Sequence, residues 1–389
     1  MKSDKFCILF STADWDAPYW TNKQHMAVEL AKEGFQILYV ESFGLRTPKL
    51  SSGRDLFRMI RRLKKGLTPP RKVQNNIWVL SPLVIPFKHD TSVVRFLNNL
   101  EVRFLLKRFL ERNRFKKPLV WTYHPFILGI IDGWERGQLV YHCVDDLSAV
   151  PGIDKQAISK EEERLLAKAD QVFTTSRTLE ERCRKFNNNV HNFTNVVDVD
   201  HFSKAMDPSP IPREIQCIPH PRLLYMGALS DYKVDFDLLY DLMRENKIWH
   251  LILIGEEPEG QRNKILENLK KLENVHFLGY RPYNELPDYL RGVDVGLLPT
   301  LINDYTRSMF PMKYFEYLAA GLPVVSTPLC FTEDQAYGLL VGRRGDEFRE
   351  AVEKQLERGR FSKEFLSNFI NEFSWKSRLE KLLSIINKK

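Results

Sequence analysis

At 389 residues the chain is long enough for two ordinary domains of roughly 150 to 200 residues, each with its own core, and too long for one small module. With 43% hydrophobic and 28% charged residues it reads as folded and globular, which excludes a disordered chain or a fibrous repeat. The net charge of +8 is uneven: residues 49–117 hold eighteen Lys and Arg against four Asp and Glu, a local +14, so the remainder is −6 and one basic, anion-attracting face is expected.

The opening residues, MKSDKFCILFSTADWD, carry a short apolar run without a cleavage-like site. Nowhere does a run reach the eighteen or so apolar residues that span a bilayer, so a cytoplasmic chain is expected. Residues 6–10 read as a buried strand, 23–32 as a helix ended by Gly34, and 36–41 as a second strand, together a β-α-β unit. Further short strands at 78–81, 119–122, 138–142, 171–175 and 190–195 alternate with helical segments, a pattern that predicts a parallel sheet covered on both faces. Residues 203–221 hold five prolines and no periodicity, as an interdomain linker does.

Beyond it the alternation restarts, with strands at 222–226, 250–254, 275–278, 293–298 and 324–327 and helices at 235–245, 261–272, 284–291, 312–320 and 345–356. The chain therefore reads as α/β, with an acceptor-side Rossmann-like domain over 1–202, the linker over 203–221, a second Rossmann-like domain over 222–360, and helices over 361–389 packing back on the first. Two doubly wound domains of this kind face each other across a cleft, and their ligands bind beyond the carboxyl ends of the strands. The five cysteines, Cys7, Cys143, Cys183, Cys217 and Cys330, lack C-x-x-C spacing, so neither a disulfide framework nor a zinc site is expected.

Residues 299–328, PTLINDYTRSMFPMKYFEYLAAGLPVVSTP, carry the most chemistry. A strand leads into a polar loop, and Pro311 then opens a helix where its missing N–H is least felt. Free N–H groups and the positive dipole end of such a helix suit a diphosphate. Lys313 in the first turn adds a formal positive charge, and Glu316, one turn on, can accept from two sugar hydroxyls. The alternative for Glu316 is a solvated helix residue paired with Lys313.

The pattern P-x-K-x-x-E-Y-x-A-x-G-x-P-V-V over residues 311–325 resembles the donor-site helix of bacterial GT-B glycosyltransferases of the group 1 type, those that make capsular, teichuronic and other envelope polysaccharides. The resemblance implies a GT-B fold and transfer of a sugar from a nucleoside-diphosphate donor, UDP-linked by default, to a glycan or lipid-linked acceptor. It implies that Glu316 holds the nucleotide ribose and that Lys313 contacts the diphosphate, with Arg307 assisting. Gly227, in YMGAL with Asp235 following, resembles the turn where donor phosphates approach the backbone. Tyr280 and Arg281, in GYRPY followed by ELP, resemble the loop that receives the nucleobase. Residues 195–202, NVVDVDHF, resemble the N-G-V-D-x-x-x-F signature of the domain junction, and residues 141–146, YHCVDD, a D-D loop of the same subset. Two positions depart from the family: Ser308 stands where many retaining members carry a glutamate, which leaves the anomeric outcome open, and Val196 replaces the junction glycine.

Asp145 and Asp146 follow a buried strand, so either could serve as general base, with Asp146 the first choice, and either could be a helix N-cap. His124, after the strand at 119–122, is a further candidate base or a structural histidine, while His25 and the loop residues Asp14, Trp15 and Asp16 are weaker acceptor-side candidates. Residues 54–65, RDLFRMIRRLKK, place Leu56, Met59, Ile60 and Leu63 on one helical face among basic residues, as an anionic membrane interface or a packed surface helix requires. A second basic stretch over 103–117 favours peripheral contact with the inner face of the cytoplasmic membrane. No nucleic-acid motif accompanies the charge. No cofactor and no metal are expected, because the carboxylates and histidines lack ligand spacing. Two other readings remain open, a nucleotide-sugar epimerase on the same scaffold and a catalytically inactive partner-binding subunit.

Overall fold

The structure, a computed structural model, describes residues 5–43, 68–84, 92–258, 261–334 and 337–388. Residues 54–65, the basic amphipathic segment, lie outside the described residues. The chain divides into two compact units, one running to Thr194 and taking in Leu379 onward, the other Asn195–Arg378.

The first unit is built on an eight-stranded sheet of β1 (Phe6–Phe10), β2 (Gln36–Val40), β3 (Arg71–Gln74), β4 (Ile77–Leu80), β5 (Leu119–Thr122), β6 (Leu139–Cys143), β7 (Gln171–Thr174) and β8 (Val190–Asn192). Their order is β3-β4-β2-β1-β5-β6-β7-β8, parallel throughout except where β3 meets β4. Runs buried at every position, such as FCILF and LVYHC, suit strands covered on both faces. Among the covering helices are α1 (Asn22–Lys32), α2 (Ser92–Asn113), α3 (Lys155–Lys168) and α4 (Arg177–Arg184). From β1 the sheet grows one way through β2 and the other way through β5, so the loops after β1 and β5 flank the point where the winding reverses.

The second unit holds a wholly parallel sheet in the order β11-β10-β9-β12-β13-β14. Its strands are β9 (Arg222–Met226), β10 (His250–Ile254), β11 (Val275–Gly279), β12 (Val295–Leu298), β13 (Val324–Ser326) and β14 (Leu339–Val341). Successive side chains of a strand face opposite layers. Leu224 and Met226 of β9 accordingly pack with Phe315 and Leu318 of α6 (Met312–Ala319) in one core layer. Leu223 and Tyr225 pack in another with Leu239 of a helix that we label α5 (Phe236–Glu245) and Val352 of α7 (Asp346–Arg358). Here the winding reverses between β9 and β12.

Residues 203–221, expected to be a linker, pack as part of the second unit. Ala205, Ile215 and Ile218 are buried in its core. The carbonyls of this irregular stretch find donors in arginines: Arg291 reaches the carbonyls of Lys204, Asp207 and Pro210, and Arg222 those of Gln216 and Ile218. The prolines therefore mark a chain without a ladder of its own, not a free tether. The final helices likewise divide: Leu366 lies in the core of the second unit and Phe373 stacks on Phe315 at 4.5 Å, whereas the end of α8 (Trp375–Ile386) belongs to the first, where Gln138 donates to the Ile386 carbonyl at 2.5 Å.

Candidate functional site

The sequence-derived candidates fall into two groups, one at the carboxyl ends of the strands in each unit. In the second unit, β9 ends at Met226 and the chain turns through Gly227 (φ 129°), while β10 turns through Gly255 (φ 140°). These turns lie against each other: a Cβ at Gly255 would sit 1.9 Å from the Gly227 carbonyl oxygen, and one at Gly227 would sit 2.3 Å from Cε and 2.7 Å from Nζ of Lys313. Only glycine tolerates both the backbone angle and the approach. Gly255→Ala should therefore lower stability by about 3 kcal/mol or more, because its Cβ meets backbone. Gly227→Ala should lower it less, because its Cβ meets a flexible side chain that can swing away; chemical denaturation of the two variants checks the order.

The lysine held against Gly227 sits in the first turn of α6, which has no side-chain cap. Its Nζ lies 5.8 Å from the centre of the Tyr225 ring. Burial lowers the Lys313 pKa, the Glu316 carboxylate opposes that shift, and a second ammonium, Lys233, adds to it. Glu316 is half-buried one turn along the helix. Burial pushes its carboxyl up to about 7, with Lys313 pulling the other way. Burial raises the phenol of half-buried Tyr283, and the charges of Asp198 and then Glu316 add to the rise; its ring stacks on His201 at 4.2 Å. Lys233 is positioned by cation–π contacts, with Nζ 4.8 Å from the Tyr305 ring centre and 5.5 Å from that of Tyr232. Two ammoniums near one another repel, and an anion between them relieves that repulsion. Lys233 was not singled out in the sequence, and its place here is set by the loop after β9.

The remaining candidates of this unit are engaged elsewhere. Asp235 caps α5 through the Leu238 N–H and forms a two-pronged pair with Arg344 at 2.8 and 2.9 Å, so its carboxylate is structural. Arg281 is gripped by both oxygens of Glu214, at 3.0 and 2.9 Å, and donates to the Tyr289 hydroxyl at 2.6 Å, which fixes it to a neighbouring helix instead of presenting it to a base. The Tyr280 ring is half-buried and its carbonyl accepts from Arg281. Arg307 is exposed and only loosely paired with Asp304 at 3.9 Å, and Ser308 is buried with its hydroxyl donating to the Tyr305 carbonyl.

In the first unit, His124 is fully buried. Its Nε2 meets the Phe43 carbonyl at 2.5 Å, its Nδ1 accepts from the Phe126 N–H, and its ring stacks on Phe43. Neither nitrogen is left for an acceptor hydroxyl, so His124 is structural. Asp146 caps the helical turn at Leu147–Ala149 through the Ser148 N–H and pairs with Arg182 at 2.6 Å. Burial works against its ionisation, but Arg182 and Ser148 outweigh it and hold the carboxyl below its usual range, which makes a weak base. Arg182 in turn bridges to the buried Glu162 at 3.1 Å. Asp145 is partly exposed and lies 3.7 Å from the ammonium of buried Lys23. In the loop after β1, Trp15 packs edge-on against Tyr39, Asp16 pairs with Arg71 at 2.6 Å, the Asp14 carbonyl accepts from Gln24, and buried His25 meets Trp20 edge-on.

Residues 220–358 match the model of the family described as glycosyl transferases group 1. This segment is similar to a group 1 glycosyltransferase domain. It contains the whole Gly227, Lys233, Lys313 and Glu316 cluster. The chain is also 27% identical over 257 residues to a Bacillus subtilis (strain 168) protein named as the teichuronic acid biosynthesis glycosyltransferase TuaH. That match covers 61% of this chain and 63% of the relative, so it spans less than two thirds of either.

Among solved structures, sucrose-phosphate synthase of Thermosynechococcus elongatus is similar with a TM-score of 0.65 at 15% identity, over 98% of this chain and 96% of that one. HepE of Anabaena in complex with UDP gives 0.64 at 14%, over 98% and 99%. An E. coli trehalose-6-phosphate protein bound with UDP-2-fluoro glucose gives 0.67 at 14%, over 99% of each chain. These likenesses give the chain the GT-B fold, as its two Rossmann-like sheets anticipate.

Proposed function

We propose that this chain is a glycosyltransferase that takes a sugar from a UDP-linked donor and passes it to a glycan or lipid-linked acceptor of the cell envelope, working in the cytoplasm at the inner face of the membrane. The observation that carries the reading is the meeting of Lys313, Lys233 and Glu316 beside the two glycine turns, within the group 1 domain. The TuaH relative supports an envelope-polysaccharide role, and the UDP-bound structures support a UDP donor. Neither the epimerase nor the inactive-subunit alternative is favoured by any of these likenesses.

In this reading the donor diphosphate lies at the Gly227 turn beside the Lys313 ammonium packed against it, and faces the N-terminus of α6. Lys313 and Lys233 oppose the charge that grows on the diphosphate as the bond from the anomeric carbon to the phosphate oxygen breaks. Glu316 accepts from the two ribose hydroxyls. The charges that balance the leaving group are then lysines and main-chain dipoles, and no metal is called for. Asp145 engages the acceptor hydroxyl, and Asp146 keeps the loop in shape through Arg182.

The last assignment separates the neighbouring aspartates. Asp145→Asn should reduce turnover by about a hundredfold or more with UDP affinity unchanged. Asp146→Asn should show up first as a lower melting temperature, because it takes one of two carboxylate partners from a part-buried arginine. Measured together, the opposite pattern would exchange their roles. The reading as a whole is tested by titrating the protein with UDP, GDP and their sugar conjugates, with and without a chelator; no binding to any of them sinks it.

A further inference from the structure

Helix α2 carries two apolar faces. Val102, Leu106 and Phe109 face inward and are buried against the sheet. On the other side Val93 (66% exposed), Phe96 (61%), Leu97, Leu100 and Phe104 (62%) are open to solvent. Their spacing of three and four residues makes one stripe three turns long. Scattered exposed hydrophobics are ordinary, but five large ones on a single stripe are not. Its further end is basic: Lys107 and Arg108 are exposed beside the stripe, and Arg112, Arg114, Lys116 and Lys117 follow, against the acidic Glu111. At its start, Arg95 pairs with Glu161 at 2.9 Å and lies over the ring of Phe126, in the turn that follows β5. Glu101 accepts from the Leu83 N–H, just past the end of β4. The stripe thus begins at the carboxyl-end side of the sheet, where Asp145 stands.

We infer that the outer face of α2 is the membrane-docking surface of this chain and that its occupant is an anionic lipid bilayer. This deepens the reading above and rests on it only for the purpose of the contact. The stripe enters the boundary between headgroups and acyl chains, and the cations meet lipid phosphates. The sign of the charge selects this occupant. Residues 92–117 carry eight Lys and Arg against two Glu, a net +6, which repels a second copy of the same face and favours an anionic surface. Arg112, Arg114, Lys116 and Lys117, with long apolar stems, can stay in contact with the surface as the helix settles. A docked helix of this kind holds the acceptor-side loops near the bilayer, where a lipid-linked acceptor presents its sugar.

The test is co-sedimentation of the full chain with phosphatidylcholine vesicles and with vesicles that also contain phosphatidylglycerol. The wild type should partition onto the anionic vesicles, and added salt should weaken the binding. Phe96→Glu/Phe104→Glu should reduce partitioning by about tenfold or more, because two aromatic side chains no longer enter the interface. Lys107→Glu/Arg108→Glu should reduce binding to the anionic vesicles while leaving the weak binding to phosphatidylcholine alone. Both variants should keep the wild-type melting temperature and UDP affinity. Unchanged partitioning of the phenylalanine variant overturns the inference. So does a variant that melts early while still binding vesicles, since the stripe would then be packed within the chain, or one that turns a dimer into a monomer without affecting lipid binding. A wild type that binds vesicles but no nucleotide would count against the donor reading alone.

Discussion

Glu316→Ala is expected to weaken UDP binding about a hundredfold in titration calorimetry. The carboxylate accepts from two ribose hydroxyls in the reading above, and two charged hydrogen bonds at about 1.5 kcal/mol each give roughly that factor. A structural role for Glu316 would weaken binding through disorder instead, and 2′-deoxy-UDP distinguishes the two. The wild type should prefer UDP to its deoxy form, and Glu316→Ala should not. A wild type indifferent to the 2′-hydroxyl would remove the ribose assignment. The same carboxyl sets a pH dependence. Burial raises it to about 7, so it is largely protonated below that value and accepts poorly; UDP affinity should rise from pH 6 to pH 8. UDP has a titration of its own in this range, so the relevant quantity is the difference from Glu316→Gln, whose profile should be flatter. The linkage to folding has the opposite sense. A carboxyl that titrates higher in the folded chain than in the unfolded one contributes stability at acid pH, and loses it as pH rises through about 7.

Lys313→Met is expected to lower turnover by about 10² to 10³-fold, the usual effect of removing one preorganised group that faces charge developing in the transition state. Donor affinity should fall by less, because the diphosphate gains negative charge as it departs and the ammonium is worth most then. A second consequence follows from the pair it forms. Lys313 holds the Glu316 carboxyl down against its burial, so without the ammonium that carboxyl should titrate still higher. The rise of UDP affinity with pH should accordingly move to more alkaline pH in Lys313→Met. Lys233→Met should act in the same direction more mildly, and the double variant should lose less than the product of the single losses, since each ammonium disfavours the other. Full turnover in Lys313→Met would break the leaving-group assignment.

The parallel sheets were legible because strands buried on both faces are apolar throughout, and most observed strands start and end within a residue or two of the apolar runs. Strand β3, RKVQ, escaped because an exposed edge strand bears no such run. The proline-rich stretch over 203–221 misled because prolines report local backbone and not packing, while the arginines that satisfy its carbonyls come from β9 and from the helix at Leu286–Arg291. In the site, the helix bearing Lys313 and Glu316 could be read from one continuous stretch. Asp235 and Arg281 could not, since the partners that engage them, Arg344 and Glu214, stand 109 and 67 residues away in the chain. The D-D pair pointed to a working carboxylate and a cap with Asp146 as the first choice for the base, but the surroundings of each are set by Arg182 and Lys23 on separate helices, which the local sequence does not reveal. Lys233 bears no local mark. A lysine six residues past a strand-ending glycine was the available signal, and it gains meaning only when the loop after β9 brings it toward Lys313.

The way the last helices divide has a consequence for cutting and recombining this gene. A fragment ending near residue 358, where the family match stops, would strip Leu366 and Trp375 from one core and Leu379, Leu382 and Ile386 from the other. The matched stretch is therefore shorter than the unit that contains it, and the first unit, which takes in the chain's end, is not a contiguous genetic cassette. Chimeras that exchange donor specificity should carry residues 195–378 as a block and leave the terminal turns of α8 with the recipient.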